Sequence, residues 1–176
     1  MDKDSFLTIA EVAVAFAGFA SVASAIGRGN SRVDPRIDAV RLHNMVEISL
    51  VVVACGFAPV WLEQTGLDDR IIWMLAGAFA GIAGVMTLLR ANRRARLVEA
   101  LPGYYQAGAT RVRAIGATGI MGMIIVATGL THPYGETLYL GALLATLVTS
   151  GMLFMRVIES LIYPGDASPG GPQGED

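Results

Sequence analysis

Cysteine occurs once in this chain, at Cys55, and histidine twice, at His43 and His132. A single cysteine excludes an internal disulfide and any cysteine-built metal cluster. Charge is scarce as well. Asp, Glu, Lys and Arg make up 16% of the 176 residues, whereas hydrophobic residues make up 53%. With a mean hydropathy of +0.54, that balance is too apolar for a soluble domain. No spacing of His, Cys, Asp, Glu, Ser or Gly carries a metal site, an activated nucleophile or a phosphate loop. The sequence therefore suggests no metal, no cofactor and no catalytic machinery. What it does contain is a series of long apolar runs.

The first run, Ser5 to Gly27, has a carboxylate inside it, Glu11. A helix rises about 1.5 Å per residue, so Glu11 sits roughly 9 Å into a hydrocarbon core about 30 Å thick. A charge at the bilayer centre costs at least about 2.5 kcal/mol on insertion scales, which makes Glu11 a candidate binding or conduction residue. The backward tilt of Cβ also lets it lean toward the nearer interface. Ala13, Ala17, Ser21 and Ala25 form a small-residue ladder suited to close helix packing. Ala23-Ser24-Ala25 resembles a signal-peptide cleavage site. The leader MDKD has one Lys against two Asp, however, and Glu11 interrupts the apolar region. The segment reads as an uncleaved first transmembrane helix.

Asp34-Pro35 opens a second helix, with Asp as N-cap and Pro at the first helical position, expected to reach about Glu63. Its first turns lie at the membrane surface and Met45 to Leu62 crosses. Pro59 is expected to bend its far end, and Trp61 fits an interfacial aromatic. The uncharged run Ile71 to Leu89 gives a third crossing, and the helix is expected to continue through RANRRARLVEA and break at Leu101-Pro102-Gly103. Tyr104 and Tyr105 then read as interfacial. Gly77 and Gly81 form a GxxxG pair, extended by Gly84, which suits close packing first within the chain and second between chains. A fourth crossing carries Gly116, Gly119 and Gly122, His132 to Gly135 is a tight turn, and a fifth crossing follows. The fold class is thus an all-α integral membrane protein: one domain over 1–163, a bundle of five transmembrane helices spanning about 5–27, 45–63, 71–90, 114–131 and 137–157. The Gly/Pro-rich tail 164–176 is expected to be disordered.

Arginine fixes the expected sidedness. With the loops 28–44 and 90–113 and the C-terminal end inside, eleven arginines lie inside, against Lys3 and Arg70 outside. This is a positive-inside pattern for a bacterial-type inner membrane, with the N-terminus outside and the C-terminus cytoplasmic. His43 and His132 then lie at opposite faces and cannot ligate one haem together. Arg93, Arg94 and Arg96 are expected to meet anionic lipid headgroups rather than nucleic acid. The small-residue ladders on the first, third and fifth helices suggest a homo-oligomer or a subunit of a membrane complex.

One polar cluster stands where the second helix enters the membrane: Arg41, Asn44 and Glu47. Asn44 and Glu47 share a face, and His43 can pair with Glu47 at i, i+4. Arg156 on the fifth helix is the closest candidate counter-charge for Glu47, with Glu159 one turn away as its competitor. The string RLHNMVE resembles the Arg/His-rich N-x-x-E segment of the glutathione-linked membrane enzyme family MAPEG. The likeness covers seven residues, its Arg-to-Asn spacing differs, and that family has four spans, so no family is assigned from it. Two functions follow from the polar residues. A complex-forming membrane component, conducting protons or ions, needs carboxylates connected by water across the bundle. An enzyme acting on a lipophilic substrate at the cytoplasmic interface needs a pocket beside Arg41, Asn44 and Glu47. A purely structural subunit needs neither.

Overall fold

The computed structural model describes residues 3–27, 35–98 and 106–162. The expected helix start at Asp34, the break at Leu101-Pro102-Gly103, the tyrosines 104 and 105 and the tail 164–176 lie outside these described residues. Five helices account for nearly all of them: α1 (Lys3–Gly27), α2 (Pro35–Glu63), α3 (Asp69–Val98), α4 (Gln106–Ala127) and α5 (Gly135–Ile162). Each is long and apolar enough to cross a membrane, and no strand occurs among the described residues. α2 occupies the range that its proline start and the following polar loop predict. α3 runs on past its apolar stretch to Val98, carrying its arginines as helix.

The turns between α2 and α3 and between α4 and α5 are short, so these neighbours run antiparallel. Gly66 and Gly129 allow the chain to leave α2 and α4, each taking a left-handed backbone, with φ of 70° and 68°. α2, α3, α4 and α5 close into a ring, each packed on the next and α5 back on α2. α1 lies outside the ring along the seam between α2 and α5. The described arginines other than Arg70 gather at one end, formed by the start of α2, the end of α3, the start of α4 and the end of α5.

Small residues set the closeness of two seams. A Cβ added at Gly77 would lie 2.7 Å from the backbone nitrogen of Ala127 and 2.8 Å from the carbonyl oxygen of Met123. One at Gly119 would lie 2.9 Å from the carbonyl oxygen of Ala142. The backbones of α3 and α4, and of α4 and α5, therefore touch where only glycine fits. The GxxxG face of α3 is used inside the chain, the first of its two expected uses.

The half of the ring away from the arginines is filled. Phe6 of α1 reaches over the seam to Trp73 of α3 and Tyr139 of α5, with ring centroids 5.8 Å and 6.0 Å away. Val52, Cys55, Ala76, Ala80, Met123, Val126 and Leu143 pack around them, all buried. Cys55 is the small core residue its apolar neighbours suggest. Pro59 explains one polar contact in this core. Proline has no backbone N–H, so the carbonyl of Cys55, four residues earlier, loses its helical donor. The Tyr139 hydroxyl donates to that carbonyl at 2.8 Å. Lower in the same seam the hydroxyls of Ser49 and Ser150 bond at 2.9 Å, both buried.

The Tyr139 contact has a measurable consequence. Tyr139→Phe keeps the ring packing but leaves a buried carbonyl without a donor, a loss of about 1–3 kcal/mol. Unfolding by SDS titration from mixed micelles should show a loss in that range. A variant as stable as the wild type would mean that the Cys55 carbonyl does not depend on Tyr139.

Candidate functional site at the arginine-rich end

Packing inside the ring is incomplete toward the arginine-rich end, although Ile37, Ala95, Val98 and Val112 are buried there. A cavity of about 140 Å³ opens there between α2, α3, α4 and α5. Its cause is local composition: Gly84, Ala91, Ala95 and Gly116 line it and leave space that larger side chains would fill. The walls extend from Ile37 to Val51 on α2 and from Gly84 to Val98 on α3, about 20 Å of helix. Ile48, Val51, Ile120 and Thr146 surround the deep part, where the filled half of the ring begins. The Thr146 and Thr149 hydroxyls donate to the carbonyls of Ala142 and Ala145 within α5, both at 2.9 Å, so their protons are used inside the helix. At the other end stand Arg41 and Asn44 of α2, Asn92 of α3, Arg113 of α4 and Arg156 of α5. No carboxylate is among the described lining residues.

Glu47 belongs to a separate cluster. It faces α3 and the end of α1, beside Ala20 and Ser21. Arg90 donates to Glu47 Oε1 at 3.1 Å, and Arg94 donates to Oε2. Arg94 also donates to Asn44 Oδ1 at 2.9 Å, which ties this cluster to the cavity wall. The expected pairing of His43 with Glu47 is present, at 4.0 Å. The expected counter-charge is corrected: α3 supplies it through Arg94 and Arg90, whereas Arg156 lines the cavity.

Of the five candidate residues, the structure brings Arg41, Asn44 and Arg156 to one cavity. It sets Glu47 on the neighbouring face of α2 and places Glu11 elsewhere. Glu11 is exposed on the outer flank of α1, in a shallow depression with Leu7, Ala10, Val14 and Phe57. Among the arginines assigned to headgroups, Arg93 and Arg96 are exposed, while Arg94 is turned in toward Glu47. Arg90, Asn92 and Arg113 were not singled out in the sequence. The i, i+4 spacing of Arg90 and Arg94 was the available signal, because a short antiparallel hairpin sets the end of α3 beside the start of α2. Nothing in the sequence separates Arg113 from Arg111, since which of them faces inward depends on the rotation of α4. Compared with family models, with curated proteins and with solved structures, the chain matches none of them.

Proposed function

We propose that this membrane protein binds one lipophilic molecule in the cavity at its arginine-rich face, which the positive-inside asymmetry makes the cytoplasmic one. The observation that carries this reading is the cavity itself: apolar at depth, bounded by the packed Phe6, Trp73 and Tyr139 half of the ring, and lined toward the arginine-rich end by Arg41, Asn44, Asn92, Arg113 and Arg156 together with apolar Ile37, Val98 and Val112. It lies beside Arg41 and Asn44, two of the three residues at which a lipophilic substrate is expected, whereas Glu47 stands on the neighbouring face of α2. Proton or ion conduction through one chain is the weaker reading. It needs a polar route, yet the far half of the ring is packed with apolar and aromatic side chains, and Glu11 lies outside it. Self-association is a second proposal. The α3 ladder is used internally, but Gly18 and Gly141 face outward with no atom within 4 Å of an added Cβ.

Photolabelling tests the binding reading. The protein is reconstituted in nanodiscs of neutral lipid and exposed to dodecanol carrying a diazirine in its chain. Labelling should be saturable and should map to lining residues of α2–α5. A Cβ at Gly116 would meet Thr149 at an ordinary 3.5 Å, so a side chain can start there without a backbone clash, and Gly116→Leu is expected to take up cavity space. That variant should lose about tenfold or more of the saturable label, the effect of withdrawing roughly two buried methylene groups of contact. Unsaturable labelling spread over the outer faces, unchanged by Gly116→Leu, would remove the proposal.

A further inference from the structure

We propose that the outward face of α1 docks a transmembrane helix of another membrane protein, one that carries a lysine or arginine at the level of Glu11. This face is separate from the cavity, whose described lining takes no residue from α1.

Depth is the first reason. Glu11 stands seven residues inside the apolar span that opens at Asp4, about 10 Å along the helix. α2 gives the same depth from its own side. Phe57, which walls the depression around Glu11, is six residues from the end of α2 at Glu63, about 9 Å. The other walls, Leu7, Ala10 and Val14, are apolar as well. Glu11 is exposed there and makes no hydrogen bond or ion pair among the described residues. A charge facing hydrocarbon is costly, and intramembrane charges are found paired. The tilt of Cβ shortens the way to the interface. A glutamate side chain is nevertheless shorter than the lysine and arginine stems that snorkel.

Charge is the second reason. Among the described residues, Lys3 and Arg70 are the basic ones toward this end, in the first turns of α1 and α3. Neither stands at the level of Glu11. Arginine asymmetry gives every copy of the chain one orientation in the membrane. A second copy therefore brings its cations to the same two levels and no deeper. The complementary charge has to come from a different protein. A lipid amine stays with the headgroups, whereas a basic side chain on a crossing helix is carried to this depth by its own backbone.

Shape is the third reason. α1 lies outside the ring, and its outward side carries Thr8, Glu11, Ala15 and Gly18, all exposed, at spacings of three, four and three. That is the spacing of a seam between two helices. Ala15 and Gly18 let a second backbone come close, and nothing lies within 4 Å of a Cβ added at Gly18.

The test uses a synthetic Leu/Ala transmembrane helix with one lysine two turns in from one end, beside the same helix with leucine or glutamate there. Each helix carries a donor fluorophore at that end and is mixed with the protein in neutral-lipid vesicles. The acceptor sits on Asp4→Cys, exposed at the head of α1, while Cys55 is fully buried and stays unlabelled. The lysine helix should bind about tenfold or more tightly than the leucine helix, the strength of one charge-assisted contact. Glu11→Gln should erase that advantage and leave unfolding in SDS unchanged, because Glu11 has no polar partner within its own chain. Gly18→Leu keeps the carboxylate and should weaken the lysine helix about fivefold or more, the least expected from crowding a close contact. Equal binding of the lysine and leucine helices would overturn the proposal and leave Glu11 leaning toward the headgroups. An advantage that survives Glu11→Gln would overturn it too, by placing the attraction elsewhere. Unchanged binding in Gly18→Leu would reduce the docking face to bare charge attraction and overturn it as a helix seam. Preference for the glutamate helix, or energy transfer between differently labelled copies of the protein that Glu11→Gln abolishes, would make a second copy's α1 the occupant instead.

Discussion

Replacing Gly77 by Leu will separate α3 from α4 and unfold the ring. The substituted Cβ would meet the backbone nitrogen of Ala127 and the carbonyl oxygen of Met123, both well inside contact distance. Backbone atoms cannot swing aside as a side-chain tip can, so the helices must move apart. That movement breaks a long glycine seam, since Gly81 and Gly84 meet Ile124 and Ile120 along the same line. Overpacking a tight site costs about 1–3 kcal/mol, and a backbone collision belongs at or above the top of that range. Gly141→Leu is the matched control. Gly141 is also a helical glycine in a crossing segment, but nothing lies within 4 Å of its added Cβ. Its replacement should change the monomer's stability by no more than about 0.5 kcal/mol, as for substitutions away from packed features. SDS titration followed by circular dichroism would measure both. Equal losses at the two positions would mean that helix propensity, not the α3–α4 contact, governs the response.

The same glycines show how far the sequence could be read. Five apolar runs separated by polar breaks give five helices, because the bilayer demands that each crossing satisfy its own backbone. The GxxxG pair on α3 was visible as a packing face, and the fold uses it so. Its partner was not visible, because α2, α4 and α5 all carry small residues that could receive it. The same limit hid the counter-charge of Glu47. Arg156 and Arg94 both lie near the arginine-rich ends of their helices, and only the placement of α3 beside the first turns of α2 separates them. The Tyr139 contact was legible in half: Pro59 announces an unbonded carbonyl at Cys55, but no local pattern says which helix brings the donor. The cavity is a vacancy between four helices and has no motif of its own. Only its polar end, at Arg41 and Asn44, stood out in the chain.

Glu47 should prove coupled to Arg94 and independent of Arg156. The Glu47 side chain is 15% exposed and accepts from two guanidiniums, of which Arg94 is 26% exposed and Arg90 is 56% exposed. Glu47→Gln keeps the shape and removes the charge. Arg90 can turn to water or headgroups when it loses its partner. Arg94 is more enclosed and keeps only its bond to Asn44. The loss should therefore come mainly through Arg94, at about 1–3 kcal/mol, below the range for a fully buried pair because the cluster is partly solvated. Arg94→Gln should lose a similar amount. The double variant should lose clearly less than the two single losses combined, with a coupling of about 1 kcal/mol, because each change removes the same contact. The corresponding cycle with Arg156→Gln should show coupling within about 0.3–0.5 kcal/mol of zero, the additivity of sites without shared partners. Stability is again read by SDS titration, in nanodisc-derived micelles of one lipid composition so that headgroup charge is constant. Coupling between Glu47 and Arg156 with none between Glu47 and Arg94 would restore the pairing expected from the sequence. It would also withdraw Arg156 from the cavity mouth.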